Sequence, residues 1–394
     1  MENFHIIQAL CRAALAKPSD SVRQQVVRLR DALQEAGDVK NAKSLTNLLT
    51  AAERSVEMAP SKFSRSKAAF KGEELTRNTH LPVSKETSVP IAEIKFVEDL
   101  PTAPPIFGKA VMQAIEAILE EWKHLEKIAA VDIEPIRSCL VYGAPGTGKT
   151  QLALWMARQL GLPVVVAKLD GLVSSFLGTT SRNIGTLFDF ADRYRCLLLL
   201  DEFDAIAKFR ADPQEVGEIK RVVNTLLQSL DSRKNHGFTI GITNHESLLD
   251  PAVWRRFDIQ VEIPRPSIEV MLQIIQRQLP PVTFNGPQMK LLAWILEGGT
   301  GADLETLTRW MKKAYAVSPN FEHEFLQAIQ QFILLNGARV ESEKRSLLMG
   351  ERDVLFKELK QKFGLTVTDL AEISGQAKST ISRAMKRNDE VLSA

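Results

Sequence analysis

Val141-Tyr142-Gly143-Ala144-Pro145-Gly146-Thr147-Gly148-Lys149-Thr150 is the stretch from which this chain is best read. From Gly143 onward it meets the pattern G-x-x-x-x-G-K-[ST] at every fixed position. Leu140 to Tyr142 is apolar and β-prone, as a strand feeding such a loop must be, and Gln151 to Leu160 has the pattern of a helix. Gly143, Gly146 and Gly148 let the backbone curl until its N–H groups point inward at phosphate oxygens. The helix that starts there favours an anion through its dipole and its free N–H groups. Lys149 brings a point charge for the β- and γ-phosphates, and the Thr150 hydroxyl suits Mg²⁺. Gly143, Ala144, Pro145, Gly146, Thr147, Gly148, Lys149 and Thr150 are therefore the candidate binding residues for a nucleoside triphosphate. A glycine-rich turn could match by chance, but here strand, loop and helix follow one another in the required order.

The surrounding chain is consistent with a soluble, multidomain protein. At 394 residues it exceeds what one compact core accommodates, so two or three domains are expected. Hydrophobic and charged fractions of 44% and 25% are ordinary for globular proteins, and a net charge of +2 means any basic surface is local. Cys11, Cys139 and Cys196 are scattered without metal-ligand spacing, which fits buried thiols in a reducing cytoplasm. No apolar run is long enough to span a bilayer, and Met-Glu-Asn-Phe-His lacks the features of a signal peptide. A cytoplasmic location with no membrane partner is expected.

Residues 1–58 predict a small helical module. Val22, Val26, Leu29 and Leu33 recur at helical spacing, Ala42, Leu45, Leu49 and Ala52 repeat it, and Ile7, Leu10 and Ala14 suggest a third helix. Residues 59–94, rich in Ser, Thr and Pro and leaning basic, predict a linker. From 95 to 266, strands at Ser138–Tyr142, Pro163–Lys168, Cys196–Leu200, Phe238–Thr243 and Ile259–Ile263 alternate with helices near 149–160, 181–193 and 215–230. That alternation predicts an α/β, doubly wound parallel sheet. Strand signals stop at Ser267, and a helical lid and connection over 267–345 precede a helical tail over 346–394.

Leu197-Leu198-Leu199-Leu200-Asp201-Glu202 is a buried strand ending in two carboxylates. Strand ends of a parallel sheet share one edge, so these acids can face the phosphate loop. Asp201 would hold Mg²⁺ through water and Glu202 would polarise the attacking water. Asn244, ending the next strand, could orient that same water. Arg255 and Arg256 follow on a turn where paired arginines are usually surface charge. Their place after the Asn244 strand suggests arginine fingers supplied to a neighbouring subunit, worth roughly 10³–10⁵ in rate.

Taken together, Gly143–Thr150, Asp201-Glu202-Phe203-Asp204-Ala205-Ile206, Thr243-Asn244 and Leu249–Asp258 resemble the classical AAA ATPases of the spastin, katanin and membrane-protease type. Gly299-Thr300-Gly301-Ala302-Asp303-Leu304 resembles that family's lid motif, which adds Gly301 and Ala302 to the nucleotide site. The resemblance implies ATP with Mg²⁺, a hexameric homo-oligomer and a pore that grips polypeptide. Asp170–Gly178 resembles the first pore loop and places Phe176 and Leu177 in the channel, although Thr179-Thr180-Ser181 replaces the acidic residues usual there. Asp201 to Arg210 and Asp212 to Asn224 are similar to a narrower bacterial group, often encoded beside a subtilisin-like serine protease in antiviral defence or plasmid-maintenance systems. No Ser-His-Asp arrangement is legible in this chain, so protease activity would belong to a partner.

Leu365 to Lys386 has the pattern of a helix-turn-helix: Leu370, Ala371 and Ile373 face inward, Gly375 permits the turn, and Ile381 anchors the second helix. Lys378, Ser379, Thr380, Arg383 and Lys386 would then face DNA. A docking or purely structural tail has the same pattern. Two functions follow from these motifs. One is a ring ATPase that remodels or translocates protein, and the other is a nucleotide-switched DNA-binding protein of replication, transposition or transcription control. An inactive assembly scaffold is disfavoured by Glu202 and the arginine pair.

Overall fold

In the apolar runs of the central region, alternate residues point to opposite faces of one sheet, and helices cover both faces. The computed structural model describes residues 20–38, 40–48, 72–84, 86–131, 133–168, 172, 177–202, 216–233 and 237–383. The chain divides into two units, Met1–Ala68 and Ala69–Ala394.

In the first unit, α1 (Asp20–Glu35) and α2 (residues 40–48) bury Val26, Leu33, Ala42 and Leu45 against each other. The turn between them uses Gly37 at φ 78° and the Asp38 side chain, which accepts from the Asn41 N–H and side-chain amide. The expected helix through Ile7, Leu10 and Ala14 lies outside the described residues, as do Leu49 and Ala52.

The second unit opens with β1 (Ala92–Lys95), then α3 (Lys109–Lys123), α4 (Leu125–Ala129), β2 (Ser138–Tyr142) and α5 (Lys149–Leu160). The sheet continues through β3 (Val164–Ala167), α6 (Leu177–Arg193), β4 (Leu197–Leu200), α7 (Val216–Arg233) and β5 (Phe238–Thr243). It ends with the short α8 (Pro251–Trp254) and β6 (Ile259–Glu262). Strand order is β1-β3-β4-β5-β2-β6, parallel throughout except for β1, which runs antiparallel to β3. β1 starts inside the segment expected to be a linker. Its four residues follow Pro90-Ile91 and run from buried Ala92 through exposed Glu93 to half-buried Ile94 and Lys95, too short a run to show a period.

On one face Leu140, Leu198 and Leu200 pack with Leu187 and Phe188 of α6 and Val223 and Leu226 of α7. On the other, Cys139, Val141, Leu197 and Leu199 pack with Ile115 and Ile118 of α3 and Leu152 and Met156 of α5. Every residue of β4 and β5 is buried, as expected for strands covered on both sides.

Seven helical segments follow: α9 (Ile268–Gln278), α10 (Gly286–Ile295), α11 (Gly301–Val317), α12 (Phe321–Asn336), α13 (Ser342–Met349), α14 (Arg352–Phe363) and α15 (Val367–Ser374). A last helical stretch, α16, covers 378–383 of the described residues. Side-chain caps mark several starts: Ser267 caps α9, and capping boxes at Asn285, Thr300 and Thr366 open α10, α11 and α15. One hydrophobic cluster runs from Met271 to Ile381, so α9 to α16 share a single core.

Candidate functional site

Strand order fixes what can meet at the edge of the sheet. β2 feeds the phosphate loop, β4 ends in Asp201 and Glu202, and β5 lies between them and ends just before Asn244. In register, Tyr142 sits beside Thr243, and Leu200 beside Gly241. The three strand ends therefore open on one side of the sheet, at the crevice where parallel α/β sheets take their ligands.

The loop is held in a conformation that side chains would spoil. Gly143, Gly146 and Gly148 have φ of 139°, 77° and 96°. A Cβ on Gly143 would come within 2.3 Å of the Ile263 carbonyl oxygen, where the chain leaves β6. Gly148 is the N-cap of α5, so that helix's first turn, whose N–H groups have no intrahelical acceptor, begins in the phosphate loop itself. The Lys149 side chain folds back over the loop: Nζ donates to the carbonyls of Gly143 and Ala144, both at 2.8 Å, and the residue is 4% exposed. The Thr147 hydroxyl donates to the Ala144 carbonyl at 2.9 Å.

Across the cleft, the Thr150 hydroxyl donates to Asp201 Oδ2 at 2.8 Å, and the Glu202 N–H donates to Asp201 Oδ1 at 2.9 Å. Glu202 takes φ 52°, a left-handed conformation uncommon for a residue with a side chain. Such departures cluster at working sites because the surroundings must over-determine them. The Glu202 side chain is exposed to the cleft, while Asp201 is half-buried.

Together these groups line a cavity of about 600 Å³. Pro145, Gly146, Thr147, Gly148, Lys149, Thr150, Asp201, Glu202 and Asn244 form its core side, with Gly301 and Ala302 of α11 opposite. Gly143 and Ala144, at the start of the loop, do not line the cavity; their carbonyls accept from Lys149 Nζ. Sequence reasoning missed the far wall, which consists of Pro105, Ile106 and Phe107 before α3, and Ile274, Arg277 and Gln278 of α9. Arg277 ties that wall together by donating to the Pro104 carbonyl. The proline-flanked apolar pair Ile106-Phe107 was the available signal, but it reads equally well as ordinary packing.

Arg255 and Arg256 do not line this cavity. Both are exposed just after α8, and Arg256 pairs with Asp231 at 3.3 Å. Asp258 anchors their turn to the start of β2: Oδ2 accepts from the N–H groups of Arg137 and Ser138 and from the Ser138 hydroxyl, each at 2.9 Å. Phe176 lies outside the described residues; Leu177 begins α6. At the chain's far end Lys378, Ser379, Thr380 and Arg383 are exposed on α16 and Ile381 is buried, while Lys386 lies outside the described residues. His323 of α12 bonds the Gly375 carbonyl at the intervening turn, at 2.7 Å.

The family model described as "ATPase family associated with various cellular activities (AAA)" matches residues 139–265, the span from β2 to just beyond β6. An uncharacterized AAA family ATPase, y4kL of Sinorhizobium fredii, is 35% identical over 230 residues, covering 57% of this chain and 69% of that protein. The chain belongs to the AAA ATPase family. This AAA ATPase also resembles the proteasome-activating nucleotidase of Thermococcus onnurineus, at 31% identity over 236 residues, covering 57% of this chain and 59% of the relative. The nucleotidase of Thermococcus kodakarensis is 33% identical over 206 residues, covering 50% of this chain and 52% of the relative. The chain thus spans between half and three fifths of those nucleotidases. A chain of the E. coli MS115-1 HORMA:CdnC:Trip13 complex aligns at 22% identity and a TM-score of 0.45, covering 54% of this chain and 81% of that one, too slight a likeness to build on.

The cleft fits the nucleotide that membership implies. Its left-handed glycines, buried ammonium and helix start form an anion cradle, and the AAA ATPase binds and hydrolyses ATP. Among the described residues no group of three or more His, Cys, Asp or Glu side chains could hold a metal by itself. The Thr150 hydroxyl and the Asp201 carboxylate are oxygen donors of the kind Mg²⁺ takes, and they suit an ion that also draws on phosphate oxygens.

Proposed function

We propose that the chain works as a ring of identical subunits, a hexamer by family resemblance, that spends ATP on remodelling or translocating protein. Lys149 and the loop N–H groups bind the phosphates, Thr150 and Asp201 would hold Mg²⁺, and Glu202 takes a proton from the attacking water while Asn244 orients it. When bound, Mg²⁺ would supply charge neutralisation on the phosphate oxygens. Gly301 and Ala302 close the site from the lid. Arg255 and Arg256 act on the neighbouring subunit's nucleotide.

One observation carries this reading. Lys149, Thr150, Asp201, Glu202 and Asn244 converge on a single cleft, while Arg255 and Arg256 stand exposed outside it. A site furnished for binding and water activation, with its arginines displaced to the surface, makes sense if they serve a second copy. The likeness to proteasome-activating nucleotidases supports polypeptide as the cargo, gripped at Phe176 and Leu177. A separately encoded subtilisin-like protease, in a defence or plasmid-maintenance pair, is the partner we infer from the sequence resemblance.

Mixing tests the shared site. Arg255→Ala subunits and Lys149→Ala subunits should each be nearly inactive alone, and should regain part of the turnover when combined. No regain at any ratio would sink the arginine assignment.

A second reading has its own observation. α16 buries Ile381 and turns Lys378, Ser379, Thr380 and Arg383 outward, an arrangement suited to DNA. Salt-dependent binding of duplex DNA that Arg383→Ala weakens would support it.

A further inference from the structure

The first turn of α11 is fastened from two sides. Within the turn, the Thr300 N–H and hydroxyl both donate to Asp303 Oδ2, at 2.9 and 2.8 Å, and the Asp303 N–H returns to the Thr300 hydroxyl at 3.4 Å. From outside, Arg339 forms an ion pair with Asp303 through Oδ1. Both carboxylate oxygens are therefore engaged. Burial alone would raise the Asp303 pKa, but the Thr300 hydroxyl and N–H and the Arg339 guanidinium outweigh it and hold the carboxyl below its ordinary value.

Arg339 ends the single turn Gly337–Arg339 that links α12 to α13, and no residue of that turn is among those that line the ATP cleft. The neighbouring chain is tied down as well. Lys344 of α13 pairs with Glu297 at 3.2 Å and with Glu341 at 3.5 Å.

On its opposite side the same first turn touches the phosphate loop. The Ala302 N–H, one of the donors that a helix start leaves without an intrahelical acceptor, donates to the Gly146 carbonyl at 3.1 Å. The approach is close: a Cβ on Gly146 would lie 2.9 Å from the Thr300 hydroxyl oxygen and 3.0 Å from the Ala302 Cβ. A trans peptide directs its N–H opposite its C=O. Pinning the Gly146 carbonyl to the lid therefore sets the heading of the Thr147 N–H, one of the donors the loop offers to phosphate.

We propose that Arg339 is a positioning residue for ATP binding, acting through Asp303 and the first turn of α11 on the Gly146–Thr147 peptide. The inference rests on the cleft being the ATP site. It makes nucleotide affinity depend on how the turn between α12 and α13 is seated, although no residue of that turn lines the cleft.

The test uses the full-length protein with a fluorescent ATP analogue, steady-state hydrolysis, and amide exchange over residues 299–306. Arg339→Ala should raise both the Kd for the analogue and the KM for ATP by about five- to twentyfold. It should leave kcat within about twofold of the parent and speed exchange in that segment. Arg339→Lys, which keeps the charge, should recover most of the affinity. Lys149→Ala should abolish analogue binding while leaving exchange over 299–306 unchanged, which separates loss of the cleft from loss of its positioning. Should Arg339→Ala not fold, Asp303→Asn removes the charge that Arg339 grips and must show the same rise in Kd. Parent-like Kd in whichever of these two variants folds, or a fall in kcat at unchanged KM, overturns the proposal. Retained analogue binding in Lys149→Ala would instead overturn the cleft assignment on which it stands.

Discussion

Glu202 combines a left-handed backbone, an exposed carboxylate and a place next to the Asp201–Thr150 pair. A carboxylate there is suited to taking a proton from water, a role worth roughly 10²–10⁴ in rate. Glu202→Gln should therefore cut turnover by about two orders of magnitude or more while leaving ATP affinity within about threefold. Single-turnover hydrolysis beside equilibrium binding would read both, and near-parent turnover would remove Glu202 from the role. Asp303 invites a different measurement. Its pKa is lower folded than unfolded, so it contributes stability above the unfolded value near 3.8, and that contribution is lost as pH falls toward the lower folded value. Melting curves of the parent and Asp303→Asn should accordingly differ most at neutral pH and converge as pH drops below about 4.

The strand-to-loop junctions depend on a few cross-element bonds. Asp258 fastens the α8 turn to the first residue of β2, at the end of that strand remote from the phosphate loop. Asp258→Ala strips partners from two backbone N–H groups and a hydroxyl. It should lower stability by about 1–2 kcal/mol, because the side chain is partly open to water. Thermal or urea unfolding would measure that loss, and ATP affinity of the folded protein should hold. At this scale the sequence was informative where chemistry fixes spacing. The glycines of 143–148, the Leu197–Leu200 run and its two acids could be assigned because a phosphate loop and a doubly covered strand tolerate few alternatives. β1 escaped because a run of only four residues carries no period, and its pairing with β3 depends on a neighbour distant in sequence. The cavity wall from Ile106 to Gln278 escaped for a related reason: apolar side chains at a ligand and in a core look alike until the lid is folded over them.

At the scale of the molecule, the lid and the tail cannot be separated energetically. Leu348, Phe356, Leu359, Leu370 and Ile381, all beyond residue 345, belong to the same cluster as Met271, Leu292 and Phe325. Each such side chain contributes about 1.5–3 kcal/mol when fully buried. Five of them together rival the 5–15 kcal/mol, roughly, that holds a whole domain folded. Deleting 346–394 should thus melt or aggregate the lid rather than release an independent tail. Size-exclusion chromatography and binding of a hydrophobic dye would register the outcome, and a well-behaved truncated protein with normal ATP affinity would contradict it.

That shared core also carries mechanical leverage. A lid that shifts when nucleotide binds or leaves would carry α16 with it, since Ile381 is packed into the same core as Met271, Leu292 and Phe325. Linkage runs both ways: any body that clasps the exposed face of α16 in only one lid posture will tighten or loosen the hold on ATP by the same factor.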